Sequence, residues 1–386
     1  MRKKLLETFD DIYIVDLHGS SKKKETAPDG SKDENVFNIQ QGVAIVIFVR
    51  KSEKKKGLGK VWHTELYGKR ADKFTVLDNS DIKKIKWQKI DYKEPYYFFV
   101  PKDFGASEKY EKGFKIDELF VKNVTNIVTS RDFIAIDFDK GVLLNRLKSL
   151  IEQGRNFIPE LKNTRDWNVD TAIEELKSDN NISEKVQKIL YRPFDTRYIF
   201  YAEYFLDWPR MELMPQMLKS NIGLVSTRQV TGNDFNHILV TKWITEYKLG
   251  SHDRNSYTFP LYLYARDGSK VSNLKKEIVA EIEKITGKIE PENILDYIYA
   301  VLYSPIYREK YKEFLKIDFP RVPYPGDKDK FKKLVALGCE LRELHLLESP
   351  KLNNFITTFP EAGNDWHAPF SSDTFVHINQ PLAVRA

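Results

Sequence analysis

The chain has 386 residues, 41% apolar and 31% charged, enough for roughly two or three domains with packed cores. No apolar run approaches the roughly 18 residues of a membrane helix, and no secretory signal is evident, so we expect a cytoplasmic protein. The single cysteine, Cys339, excludes an internal disulfide and a cysteine-based zinc site. The seven histidines fall in no metal-ligand spacing, so we expect no metal.

The net charge of +6 is unevenly distributed along the chain. Residues 1–110 carry 23 lysines and arginines against 17 acidic residues, a balance of +6, whereas residues 111–386 carry 39 of each. A local excess of positive charge suits contact with a polyanion. A lysine-rich composition that only decorates solvated loops explains the same counts equally well.

The N-terminal segment predicts a helix followed by two strands. RKKLLETFDDIYIVDLHGS has the pattern of an amphipathic helix followed by a buried strand at residues 12–17. After a polar loop at 19–34, the β-branched and aromatic run at 43–49 predicts a fully buried strand. A lysine-rich linker or hairpin follows at 51–68. Its candidate phosphate contacts are Lys54, Lys55 and Lys56.

The segment IDELFVKNVTNIVTSRDFIAIDFDK leads from an apolar patch into a Thr-Ser-Arg-Asp turn at residues 129–132. An Arg-Asp pair in a turn most often fixes the loop through its own hydrogen bonds, and direct contact with nucleic acid is the alternative. The acidic residues at 136–140 lack the spacing of a nuclease site, so we expect no independent nuclease activity. Helices are predicted at 143–153 and 169–179.

The segment YRPFDTRYIFY at residues 191–201 places two arginines among aromatic residues. Arginine can read guanine edges or grip phosphates, and aromatic rings hold it rigid or stack on bases. An ordinary buried pair of strands would have the same composition. Short predicted strands and helices surround it over residues 183–266, and carboxylates such as Asp195 are expected to hold some of the arginines. The candidate contacts are Arg192, Arg197, Arg210, Arg228 and Gln229.

The last third of the chain has helical periodicity. Leu274, Ile278, Ile282 and Ile285 mark one helix face, and the stretch ILDYIYAVLYSPIYREKYKEFL predicts two helices divided at the Ser304-Pro305 step. An extended connector at 318–325 is followed by a long helix at about 328–347. The tyrosines of this region are expected to lie in the core.

Three of these segments resemble the large fused restriction-modification enzymes called type ISP and type IIG. They are YRPFDTRYIFY, the 116–140 segment, and the stretch from DYIYAVLYSPIYREKYKEFLKIDFPRVPYP through LGCELRELHLLE. The resemblance extends from residue 1 to about 350 and does not include FSSDTFVHINQPLAVRA, so the C-terminal fold is in doubt. It implies a mixed α/β fold in four parts: the end of a Rossmann-like methyltransferase sheet with a basic linker at 1–68, a target-recognition domain at 69–268, a helical domain at 269–350 and a divergent tail at 351–386.

The resemblance implies a sequence-specific module for double-stranded DNA, related to adenine-specific DNA methyltransferases. A methyltransferase or nuclease chain is a further candidate partner. The sequence contains neither the glycine-rich cofactor loop nor the Asn/Asp-Pro-Pro-aromatic tetrapeptide with which that family holds the flipped adenine. We therefore expect no catalytic residue and no cofactor in this chain, with S-adenosylmethionine and magnesium confined to domains upstream of Met1. The alternative is an inert or partner-dependent fragment of such an enzyme.

Overall fold

The computed structural model describes residues 1–51, 57–94, 96–102, 105–231 and 235–354. The predicted phosphate contacts Lys54, Lys55 and Lys56 lie outside the described residues, as does most of the predicted tail. The described chain is a mixed α/β structure, which confirms the predicted fold class. Its strands form three four-stranded sheets and two two-stranded sheets within the described ranges.

The N-terminal unit is a four-stranded sheet with the spatial order β2-β1-β3-β4. Its elements are α1 (Arg2–Thr8), β1 (Asp11–Asp16), β2 (Ala44–Val49), β3 (Lys60–Glu65), α2 (Arg70–Asp78) and β4 (Gln88–Ile90). The helix and strand predicted from the first segment are confirmed by α1 and β1. Strand β1 runs antiparallel to β2 and parallel to β3, and Leu6 of α1 packs with Ile12 and Val61 in the core of the unit.

Strand β2 corrects one sequence prediction. The apolar run at 43–49 does form a strand, but the side chains from Ile45 to Phe48 are 38–42% exposed instead of fully buried. The reason is position: β2 lies at the edge of its sheet, and successive side chains of a strand point to opposite faces. An apolar run shows that a strand is suited to burial but does not show that anything covers it. Within the described part of the chain, side chains on both faces of β2 remain partly exposed.

A buried ion pair fixes the loop that follows β1. Lys73 Nζ lies 2.7 Å from Asp33 Oδ1, and both side chains are 0% exposed. The same ammonium donates hydrogen bonds to the carbonyl oxygens of Leu17 and Glu34, each at 2.7 Å. A buried charge is tolerated only when it is paired and hydrogen-bonded in this way. The pair therefore clamps the loop at 19–42 against the end of β1.

The middle of the chain contains two further four-stranded sheets, with the orders β12-β8-β9-β7 and β11-β10-β13-β6. The strands are β5 (Phe114–Lys115), β6 (Val124–Thr125), β7 (Ile136–Asp137), β8 (Val186–Arg192), β9 (Asp195–Phe200), β10 (Gly223–Thr227), β11 (Ile238–Thr241), β12 (Ile244–Thr245) and β13 (Ser256–Pro260). The helices are α3 (Ser107–Glu111), α4 (Ile116–Leu119), α5 (Asp132–Ala135), α6 (Lys140–Gln153), α7 (Val169–Ser178) and α8 (Ile182–Lys185). The helices predicted at 143–153 and 169–179 are confirmed by α6 and α7.

Each of these two sheets mixes strands of the 183–266 region with one earlier strand. Strand β6 pairs with β13, and β7 pairs with β9. The sequence left open whether the region forms a sheet with the strands before it, and the pairing shows that it does. The recognition region therefore depends on residues 124–137 for two of its strands.

The C-terminal third is mostly helical, as predicted. Its elements are β14 (Tyr262–Tyr264), β15 (Lys270–Ser272), α9 (Lys276–Thr286), α10 (Pro291–Tyr303), α11 (Pro305–Lys310), α12 (Lys312–Leu315), β16 (Arg321–Val322) and α13 (Lys328–His345). The predicted break at Ser304 is confirmed: this residue ends α10, and its Oγ accepts a hydrogen bond from the Tyr307 amide at the start of α11. The helix predicted at 271–286 begins only at Lys276, because residues 270–272 pair with β14.

Helices α10 and α13 cross at very short distance. A Cβ atom on Gly338 would lie 1.9 Å from the carbonyl oxygen of Asp296, so only glycine fits at the crossing. Next to it, Arg342 donates to both carboxylate oxygens of Asp296, at 2.6 and 3.1 Å. Tyr297 and Tyr299 of α10 are buried, as expected for core tyrosines. Their core also contains residues of 110–120 and 224–261, so it spans the predicted boundary at 268.

Candidate nucleic-acid interface

The arginine-aromatic segment singled out in the sequence forms the hairpin of β8 and β9. Its tip is tight: Arg192 pairs with Asp195, and Phe194 between them has a φ of 64°. Arg197 Nε and Nη2 donate to the Asp195 carboxylate, Nε to Oδ1 at 3.0 Å and Nη2 to Oδ2 at 2.7 Å. Its guanidinium carbon also lies 4.0 Å from the ring centres of both Phe138 and Tyr191. Arg197 is therefore bound on several sides by its own chain.

Arg192 has a similar environment. Its guanidinium lies 4.0 Å from the Tyr191 ring centre, and Nη1 donates to the carboxylate of Glu246, which directly follows β12. Burial raises the pKa of Glu246, and the Arg192 charge opposes that rise. We name Phe138, Tyr191, Arg192 and Arg197 the hairpin cluster. Within it, cations and rings stack on one another and each arginine has a carboxylate partner.

The hairpin cluster is joined to the turn at 129–132. Tyr191 donates its hydroxyl hydrogen to Asp132 Oδ2 at 2.7 Å, and burial followed by this hydrogen bond raises the pKa of Tyr191 to about 12. Thr129 Oγ1 donates to the other oxygen of the same carboxylate, and Ser130 adopts a φ of 55°. The two short motifs that resemble the restriction-modification family thus meet in space.

Arg131 of this turn is a structural residue. Only 3% of its side chain is exposed, its guanidinium lies 3.6 Å from the Trp167 ring centre, and Nη2 donates to Asp207 Oδ1 at 2.7 Å. Burial lowers the pKa of Arg131 although the Asp207 charge acts in the opposite direction. The structure therefore favours the structural interpretation of the turn over direct contact with nucleic acid.

Arg210 follows the short bridge between Trp208 and Val128. Its guanidinium lies 4.9 Å from the Trp208 ring centre, and its backbone has a φ of 60°, unusual for a residue with a side chain. The Nε atom is buried and has no hydrogen-bond partner among the described residues. Arg210 is thus packed against its neighbouring ring, like the arginines of the hairpin cluster.

A cleft of about 850 Å³ opens between the N-terminal unit and the loops of the recognition region. We name it the basic cleft, because its described lining residues include six cations and two carboxylates. The cations are Arg2, Lys24, Lys102, Arg228, Arg254 and Lys316, and the carboxylates are Glu25 and Asp318. A concave surface lined mainly by one sign of charge concentrates counter-ions of the other sign.

Two of the predicted contact residues line this cleft, at the start of the loop that follows β10. Arg228 is 58% exposed, and its Nε donates to Asp318 Oδ1 at 2.8 Å, a hydrogen bond that raises the pKa of Arg228. Gln229 is exposed beside it. The structure therefore brings Arg228 and Gln229 together, whereas Arg192, Arg197 and Arg210 are not among the lining residues.

The cleft also contains cations that the sequence did not single out. Arg254, in the loop before β13, donates from Nε to Thr231 Oγ1 at 2.8 Å and so joins two loops of one sheet. On the opposite wall, Arg2 donates to the Tyr96 carbonyl oxygen at 3.2 Å and stacks on Phe98. The charge excess of residues 1–110 was the available signal for this wall, but it could not identify individual residues.

The carboxylate of Glu25 is held by its own loop. It accepts hydrogen bonds from the Ser20 amide and the His18 Nδ1 position, both at 2.9 Å. The His18 ring stacks on Tyr67 with 3.9 Å between ring centres, and burial followed by the Glu65 charge raises the pKa of Tyr67 to about 12. The carboxylate of Glu25 is therefore bound by Ser20 and His18 of its own loop. The neighbouring Lys24 contributes the positive charge of this part of the cleft surface.

The described residues contain neither a metal-binding cluster nor a membrane-spanning helix. No group of three His, Cys, Asp or Glu side chains in the described ranges is placed to hold a metal ion. In the same part of the chain, the helices are too short or too polar for any of them to span a bilayer.

The mixed α/β fold, with its two interleaved sheets and basic cleft, is that of a specificity domain. Residues 118–380 match the family described as the Type ISP C-terminal specificity domain, and the chain belongs to this family. The match extends to residue 380, so the prediction that the resemblance ends near residue 350 is wrong. A comparison with curated proteins found no significant match.

Three solved structures share this fold. They are a DrdV–DNA complex (23% identity, TM-score 0.68, covering 89% of this chain and 36% of that one), the ATP-dependent Type ISP restriction-modification enzyme LlaBIII bound to DNA (23%, 0.68, 90% and 24%), and a nuclease-deletion mutant of the Type ISP enzyme LlaGI with a DNA substrate mimic (21%, 0.63, 89% and 28%). At these identities the likeness establishes the fold. The chain spans from about a quarter to just over a third of the length of these proteins.

Proposed function

We propose that this chain is the DNA-specificity module of a restriction-modification system and that duplex DNA lies along the basic cleft. The observation that carries the proposal is the cleft itself, where six described cations from two separate units border one concave surface. Membership of a specificity-domain family and the presence of DNA or a DNA mimic in the three solved structures support it. Cytoplasmic DNA would be the natural partner.

The proposed mechanism divides positioning from reading. Lysines and arginines that neutralise phosphates supply salt-dependent affinity without sequence information, whereas side chains that reach base edges discriminate sequences. Gln229 and Arg254 suit the second role, because a glutamine can bind adenine and an arginine guanine through paired hydrogen bonds. Arg192, Arg197 and Arg210 would position the recognition loops from behind, and Lys54, Lys55 and Lys56 would add phosphate contacts.

The chain is proposed to act without its own catalytic step. Methyl transfer and cleavage would be performed by a methyltransferase or nuclease partner, which would also bind S-adenosylmethionine and magnesium. Strand β2 favours this partner-dependent form of the function. Its exposed, uncharged edge pairs with no strand of the described ranges, so another strand could add to its backbone groups.

Selection from a random duplex library at two salt concentrations would test the proposal. We expect one short motif to be enriched, with affinity that falls steeply as salt rises. The variant Arg228→Ala/Arg254→Ala should lose most of the binding. Arg155→Ala/Arg266→Ala removes the same charge from outside the cleft and should bind like the unmodified chain. Salt-insensitive binding, or equal losses in both variants, would refute the cleft as the DNA site.

A further inference from the structure

Several cations of the basic cleft already have carboxylate partners. Lys102 and Lys316 both bind Glu313 of α12, with Nζ to oxygen distances of 2.5 and 3.0 Å. Arg228 Nε lies 2.8 Å from Asp318, three residues after α12. Half of the six described cleft cations are therefore paired with two carboxylates from one short segment.

The carboxylates of these pairs are less exposed than those of ordinary surface ion pairs. Asp318 is 16% exposed and is also bound by Lys115 Nζ at 3.2 Å. Burial acts to raise the pKa of both Asp318 and Glu313, but the hydrogen bonds from their cationic partners outweigh it and lower each pKa. Both carboxylates are thus ionised over the whole neutral range and compete with any phosphate that approaches the same cations.

We propose that Glu313 and Asp318 are specificity-determining residues that suppress binding to non-cognate DNA. The inference rests on the proposed function of the cleft. Non-specific binding comes almost entirely from cation–phosphate contacts, so a cation that must first leave a carboxylate contributes less to it. Base contacts from Gln229 are not weakened in this way. A non-cognate duplex relies on every cleft cation, whereas base contacts hold the cognate duplex in one register that depends less on the paired cations. Pairing these cations with Glu313 and Asp318 therefore raises the ratio of cognate to non-cognate affinity.

The test uses the double variant Glu313→Gln/Asp318→Asn, which removes both charges but keeps side-chain size and one hydrogen-bonding oxygen atom on each side chain. The side-chain oxygen that remains at position 318 can still accept from the Phe319 amide, which Asp318 Oδ1 caps at 3.0 Å. The control variant is Glu152→Gln/Asp170→Asn. It makes the same change of net charge at two exposed ion pairs outside the cleft.

Affinity is measured on random-sequence duplex and on the enriched sequence over a series of salt concentrations. With Lys102 and Arg228 released from their carboxylates, we expect affinity for random duplex to rise about tenfold at moderate salt and the log–log salt slope to steepen by about 2. Affinity for the enriched sequence should rise less. The control should change little, since screening limits the reach of exposed charges to about 8–10 Å.

An unchanged salt slope in the double variant, or an equal rise in affinity for both DNA types, would overturn the inference. If the unmodified chain binds no DNA at either salt, the proposed function itself fails. If it binds and the variant does not differ from the control, only the role of Glu313 and Asp318 fails. Should the double variant not fold, Glu313→Gln alone releases Lys102 from its carboxylate and must still steepen the slope.

Discussion

The hairpin cluster and the basic cleft are both rich in arginine, yet the cluster packs its arginines against aromatic rings whereas the cleft presents its cations to an open space. In the hairpin cluster, the guanidinium carbons of Arg192 and Arg197 each lie 4.0 Å from the Tyr191 ring centre. Each guanidinium also binds a carboxylate of the same chain. In the cleft, the cations border an open space of about 850 Å³. Availability to a ligand therefore depends on what surrounds a guanidinium, and residue type alone does not reveal it.

The largest effect is expected beneath the hairpin cluster, at Arg131. Arg131→Met keeps the packing against Trp167 but leaves the mostly buried Asp207 carboxylate without its cation. Breaking a buried pair from one side costs about 3–5 kcal/mol, which should appear in urea unfolding. The comparison variant is Arg155→Met, whose ion pair with Asp170 is exposed and should matter little. Similar stability of the two variants would contradict the assigned role of the turn.

One arginine substitution in the hairpin cluster and one in the basic cleft compare the stability that each region gains from its arginine. Arg197→Ala removes contacts with Phe138, Tyr191 and Asp195 and should lower the free energy of unfolding by about 2 kcal/mol. Arg228→Ala removes one half-exposed ion pair and should cost at most about 0.5 kcal/mol.

The DNA affinities of this pair should follow the reverse order. Loss of one phosphate or base contact at Arg228 is expected to weaken binding about fivefold or more, whereas a folded Arg197→Ala variant should bind nearly normally. Fluorescence anisotropy on one duplex, below both unfolding temperatures, measures the difference. If Arg197→Ala loses more affinity than Arg228→Ala, the hairpin cluster is the DNA-contacting region after all.

The smallest effect concerns pH and the contact between the hairpin tip and α13. Phe194 packs edge-on against His345, whose ring also binds the Tyr299 hydroxyl. Burial, helped by the Arg308 charge, lowers the pKa of His345 from its ordinary 6.5. Because the unfolded chain then binds the proton more tightly, stability should fall as the pH drops below about 6.5.

His345→Gln should therefore show a shallower loss of unfolding free energy between pH 7 and pH 5 than the unmodified chain. His252→Gln, at an exposed position, is the control and should keep the original slope. Identical slopes for all three proteins would mean that the tip of the hairpin does not depend on a neutral His345.

Local features of the fold could be predicted from the sequence. Helices α6 and α7 follow from 3.6-residue periodicity, and the break at Ser304 follows from the proline after it, since both depend on neighbouring residues only. The hydrogen bonds from Arg197 to Asp195 were also foreseeable, because the two residues are close along a strand.

Features that depend on long-range pairing could not be predicted in the same way. The apolar sequence of β2 predicts a strand, but it does not reveal that the strand lies at the edge of a sheet. The basic cleft combines residues near positions 2, 24, 102, 228, 254 and 316, which no local pattern relates. Arg228 was identified because it closely follows an apolar run that predicts a strand, whereas Arg254 lies in a polar loop without such a run.

The pairing of β6 with β13 and of β7 with β9 has a consequence for protein engineering. A chimera that exchanged only residues 183–266 for those of another specificity domain would cut both sheets, because a strand of each lies before residue 140. A new DNA specificity should therefore be introduced by exchanging a segment that begins upstream of Val124, or by substituting loop residues of this chain. Because the two sheets share strands in this way, the recognition region can be exchanged only together with residues 124–137.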